Sequence, residues 1–143
     1  MTYDEWLNNI EELKNSNNYA ILEKLEKESL NENINHMIEP KLIKLISDRL
    51  IVSLNKLTNN LLDIYTDPYK MDMVLVTFRK DIDFSLRLLK LKQISSESYK
   101  DTYEGLKSQV NESFSILEKE AVNIDSTGNL MMIIRNNRIK WSE

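Results

Sequence analysis

Between Tyr99 and Ile124 the apolar residues keep a single rhythm. Tyr99, Tyr103, Leu106, Val110, Phe114, Leu117, Ala121 and Ile124 are separated by steps of 4, 3, 4, 4, 3, 4 and 3. That spacing puts all of them on one face of an α-helix. A strand, whose side chains alternate with period two, could not bury them together. Only two Gly and two Pro occur in 143 residues. An all-β chain needs turn residues every roughly 8–12 positions, so the rest of the chain is also expected to form long helices.

Residues 3–14 read as a short amphipathic helix with Trp6, Ile10 and Leu13 on one side, and Asn15-Ser-Asn-Asn18 breaks it. A second short helix covers about 19–30, with Ile21, Leu22 and Leu25 inward, and a polar connection runs from Asn31 to Glu39. Pro40 fits the first turn of a third helix, where its missing N–H is no loss. That helix is expected over about 40–65, with the stripe Leu42, Ile46, Leu50, Leu54, Leu57, Leu61 and Ile64. Leu45, Ile51, Val52 and Leu62 widen the stripe.

Asp67-Pro68 reads as a cap followed by a first helical residue. The fourth helix then covers about 68–92, with Met71, Leu75, Phe78, Ile82, Leu86 and Leu89 on one stripe and Val74, Phe84, Leu88 and Leu91 on another. Ser95 or Ser96 caps the fifth, about 96–123. The segment from Asn129 to Trp141 is either a short helix capped by Ser126 or Thr127, or a hairpin turning at Asn136-Asn137. Together these give an all-α fold: one domain over 1–143, an antiparallel bundle of three long helices, two short N-terminal helices, and a C-terminal helix or hairpin.

Several function classes lose their footing at once. Without cysteine there is no disulfide framework, thiolate zinc site or cysteine nucleophile, and the chain suits a reducing cytoplasm. The acidic start Met1-Thr-Tyr-Asp-Glu-Trp lacks the pattern of a signal peptide. No apolar run approaches the roughly 20 residues of a membrane span. Hydrophobic residues at 41% and charged residues at 29% describe a globular chain, and the Lys, Asn and Ile bias suggests an AT-rich bacterial or phage genome.

Charge is unevenly spread within the net −4. Residues 1–35 carry three Lys against eight acids, whereas 36–92 carry ten Lys or Arg against seven acids. An acidic chain with a basic centre argues against non-specific nucleic-acid binding but leaves room for a local basic face.

Chemistry is thinly equipped. His36 is the only histidine, three residues before Glu39, in the expected connection ahead of Pro40. A di-iron bundle needs several carboxylates and two such motifs, so His36 reads as a surface residue and no metal or cofactor is expected. The carboxylate pairs Asp81/Asp83, Asp101/Glu104 and Glu118/Glu120 read as solvated faces. No Gly-x-Ser-x-Gly or phosphate-cradling loop surrounds Gly105. No catalytic residue is assigned.

Two basic clusters stand out as candidate docking surfaces. On helix four, Lys80, Arg87 and Lys90 share a side, with Asp83 placed to pair with Arg87 at i+4. In the tail, Arg135, Arg138, Lys140 and Trp141 join cations to an aromatic, a combination common at interface hot spots. The ordinary alternatives are a helix-four face docked near the acidic N-terminal helices, and a tail that closes one end of the bundle. The expected function is a non-catalytic module that binds another protein by occupancy: an adaptor, an inhibitor, or an immunity or anti-defence protein. The rivals are nucleic-acid binding through the basic faces and self-association as a homodimer.

Overall fold

A computed structural model describes residues 1–61 and 67–141, excluding the side chain of Pro68. The described residues form six α-helices and no strand. Helix α1 (Tyr3–Glu12) opens with a capping box: Glu5 N–H donates to Thr2 Oγ1, and Thr2 N–H donates to the Glu5 carboxylate. Helix α2 (Tyr19–Lys27) starts at Asn18, whose side-chain oxygen accepts from Ile21 N–H. The long helices are α3 (Glu32–Asn60), α4 (Pro68–Leu89) and α5 (Ser96–Ile124), and α6 (Asn129–Asn136) follows.

Helix α3 departs from the expected start at Pro40. It begins at Glu32, capped by Asn31, so 32–39 is helix and Pro40 sits inside it. The stripe explains why: Ile34 and Ile38 continue Leu42 backwards in steps of four, and Ile38 is fully buried. Glu39 adds a tie to α5, accepting hydrogen bonds from Ser95 N–H, Ser95 Oγ and Ser98 Oγ. His36 is thus an exposed helical residue rather than part of a loop.

Pro40 still removes the hydrogen bond that would reach the His36 carbonyl. An interior helical Pro costs about 3 kcal/mol relative to Ala, part of which is offset by the stiffer unfolded chain. Pro40→Ala is therefore expected to raise stability by about 1–2 kcal/mol. The measurement that checks it is the urea midpoint, which should rise at unchanged slope. A lower midpoint would place Pro40 at a helix start after all.

At the other end, α3 is described to Asn60, with Leu61 as its cap. The expected continuation to Tyr65, with Leu62 and Ile64, lies outside the described residues, as does Thr66. Ile51 and Val52, expected to widen the buried stripe, are exposed. Asp67 caps α4 as the sequence indicates, accepting from Tyr69 and Lys70 N–H groups. Helix α4 stops at Leu89 rather than near 92. Leu91 and Gln93 are buried in the turn to α5, so packing ends the helix one turn early.

The tail is a helix, not a hairpin, and its start differs from both expected caps. Gly128 takes the N-cap position with φ +82°, a conformation open to Gly, and no side chain caps from there. Asp125 ties the turn instead, accepting from Thr127 N–H, Thr127 Oγ1 and Leu130 N–H. Those bonds, the Thr127 hydroxyl foremost, hold its carboxyl below the usual range.

The bundle has one core. α3 packs chiefly on α4, α6 lies on α5, and α1 and α5 also pack on α3. Trp6, Leu42, Ile46, Phe84, Phe114 and Leu117 are among the side chains that this packing removes from water. Tyr103 and Phe114 are buried as the rhythm of α5 requires, and Tyr99 stacks on Tyr103.

Candidate partner-binding cleft

The tail residues singled out from the sequence turn onto α5. Arg138 Nη2 donates to the Asn111 carbonyl at 3.1 Å and to Ser115 Oγ at 2.5 Å. Its Nε lies 3.6 Å from the Glu118 carboxylate, and Arg135 Nε lies 3.4 Å from the same oxygen. Trp141 Nε1 donates to Asn111 Oδ1 at 3.0 Å while its ring meets Tyr103 edge-on. Three of the four residues, the exposed Arg135 included, therefore tie residues 129–141 to the bundle. Lys140, the fourth, is exposed. Glu118, which the spacing places on a solvated face, is instead the anchor for both arginines.

The helix-four cations do not form a common strip. Arg87 is half-buried and grips Glu26 of α2 with a two-pronged contact, Nη2 at 2.5 Å and Nε at 3.2 Å. The expected local partner Asp83 loses to this long-range one, because a planar fork matches a carboxylate held opposite it. Lys80 and Lys90 are exposed. Arg79 donates to Asn137 Oδ1, so α4 also helps to hold the tail.

The fold brings together a further constellation that the sequence motifs do not announce. Arg49 lies on the buried side of α3 and is 5% exposed. Its Nη1 donates to the Leu13 carbonyl at 2.7 Å and the Ser16 carbonyl at 3.0 Å. Its Nη2 donates to Asn17 Oδ1 and its Nε to Ser85 Oγ, and the guanidinium lies 4.5 Å from the centre of the Phe84 ring. Burial pulls the Arg49 guanidinium below its ordinary value, and nearby Asp81 opposes that pull.

Asp81 completes the junction by accepting from Asn17 Nδ2 at 2.8 Å and Ser53 Oγ at 3.3 Å. It is not the solvated carboxylate its spacing suggests. The signal available in the sequence was a lone Arg three residues after Ile46 and four after Leu45, on the apolar stripe where surface charges do not fall.

Beside this junction a cleft opens between the later part of α3 and the first half of α4. Leu57, Phe78, Met73 and Val74 line an apolar space of about 180 Å³, with Lys56 and Asp81 at its edge. A polar sector of about 160 Å³ continues from it past Asn17 and Arg49, sharing Lys56, Ser53, Thr77 and Asp81. Met73 is 52% exposed and Tyr69, one turn earlier, 73%. These side chains leave an apolar surface open to water.

Among the described residues no three of His, Cys, Asp and Glu gather as metal ligands, and no helix is long and apolar enough to cross a membrane. No family model, curated protein or solved structure matches the chain.

Proposed function

We propose that the protein acts by occupancy, binding a second protein at the cleft between α3 and α4. The observation that carries this reading is the open apolar space at Met73. Small-molecule sites usually enclose roughly 300–1,000 Å³, so a space of about 180 Å³ suits one or two anchor side chains of a larger partner better than a whole ligand. Methionine suits such a surface because its flexible, polarizable chain adapts to what it meets. The adaptor, inhibitor and immunity or anti-defence roles all belong to this proposal, in the cytoplasmic, bacterial or phage setting that composition suggests.

The pairing of Arg87, Arg135 and Arg138 inside the chain weighs against the rival nucleic-acid strip, which needs those cations free for phosphates. With those cations engaged, the cleft is favoured over the tail and the helix-four face as the docking surface.

The test is capture from extract of the source cell. Three baits are compared: the wild type, Met73→Glu, and the tail variant Arg135→Ala/Arg138→Ala/Trp141→Ala. A carboxylate placed in the apolar mouth is expected to lower partner recovery about tenfold or more, while the tail variant, if folded, retains it. Full recovery with Met73→Glu removes the cleft from the proposal. Nuclease-sensitive recovery by the wild type would favour nucleic acid instead.

A further inference from the structure

Resting on that protein-binding reading, we infer that the cleft takes an amphipathic helical segment of the partner whose apolar side chains are flanked by carboxylates. The Met73 space supplies the apolar floor, and cations surround it. Lys56 borders both sectors of the cleft. Lys70 lies one helical turn before Met73 and Val74, and Lys80 one turn after Thr77, so both fall on the cleft side of α4. All three are exposed, and among the described residues none lies within ion-pair distance of a carboxylate.

Asp81 is the acid lining both sectors, and it is already taken up by Asn17 and Ser53. An incoming segment therefore meets an apolar floor edged by these three ammonium groups. A groove between two packed helices accommodates a third helix, whose apolar positions at i, i+3 and i+4 fill the floor while flanking positions reach the rim. Acidic flanks gain attraction there, and basic flanks meet repulsion, which is how charge sets partner choice at an interface.

The probes are two helical peptides of about 15 residues, near the length at which isolated helices persist. They share one leucine face and differ in carrying four Glu or four Lys beside it. Fluorescence anisotropy with the full chain is expected to show the Glu peptide binding at least tenfold more tightly than the Lys peptide. The affinity is expected to weaken severalfold as salt shortens the screening length from about 10 to about 3 Å. The variant Lys56→Glu/Lys70→Glu/Lys80→Glu, checked for helicity, is expected to invert the preference.

Equal, salt-insensitive binding of both peptides, lost in Met73→Glu, overturns the acidic preference and leaves the apolar docking site standing. Binding of neither peptide overturns the inference. If Met73→Glu also captures its partner undiminished, the cleft itself falls. Preference for a single-stranded oligonucleotide at the same lysines would replace the acidic helix with nucleic acid. Should the triple variant fail to fold, the wild-type peptide preference and its salt dependence decide alone.

Discussion

Arg49→Met is expected to lower the unfolding free energy by about 3–5 kcal/mol, the range for removing one member of a buried charged network. The methionine would refill part of the volume and touch Phe84, so the loss reports on polar groups rather than on a cavity. The carbonyls of Leu13 and Ser16, Asn17 Oδ1 and Ser85 Oγ would all lose a donor together. Asp81 would lose a nearby cation while still accepting from Asn17 and Ser53. Arg49→Lys keeps the charge, but a single ammonium cannot reproduce the fork, so about 2 kcal/mol should still be lost. Guanidinium denaturation followed by circular dichroism measures both. A loss below about 1 kcal/mol for Arg49→Met would mean that the junction is wet and the fork dispensable.

The second large effect is expected at Phe114. Its ring is 1% exposed and lies 5.8 Å from that of Phe78, joining α5 to α4 in the centre of the bundle. Truncation to Ala removes this aromatic contact and leaves a void between two long helices that cannot close over it. The expected loss is about 3–5 kcal/mol. Phe114→Leu, which retains most of the volume, should lose less than half of that. Ile116, two residues on and 48% exposed, supplies the contrast: Ile116→Ala is expected within about 0.5 kcal/mol of the wild type. Similar losses at 114 and 116 would mean that α5 is rotated from the face described.

The difference between those neighbours was legible in the sequence. The rhythm of α5 separates Phe114 from Ile116 because burial on one side of a helix obeys local spacing. The same rule held at the start of α3, where a local start signal pointed the other way. There Pro40 suggested a helix start, while Ile34 and Ile38 already stood in register with Leu42. Tertiary burial of Ile38 outweighed a local propensity, and the in-register isoleucines were the sign.

The candidate site was harder to read, for a different reason. Arg87 and Asp83 are well spaced for each other along α4, yet Glu26 lies 61 positions away and wins. Met73 and Leu57 are ordinary members of two separate helices until α3 and α4 leave a gap between them. Such a gap depends on how two surfaces fit, which spacing along either one does not encode. Arg49 is the intermediate case. Its position among Leu45, Ile46 and Leu50 was a sign of burial that the sequence motifs passed over. Three of its acceptors, however, lie more than thirty positions upstream, at the end of α1 and in a segment that reads only as a break.

The acceptors of Arg49 have a consequence for how this corner of the molecule tolerates change. Two of the four groups are main-chain oxygens, which every amino acid supplies alike. Ser16 could be exchanged for most residues without the guanidinium noticing, since what it meets there is the course of the backbone. Lengthening or shortening the bend between α1 and α2 by one residue is another matter, because it would carry the Ser16 oxygen and the Asn17 side chain out of reach.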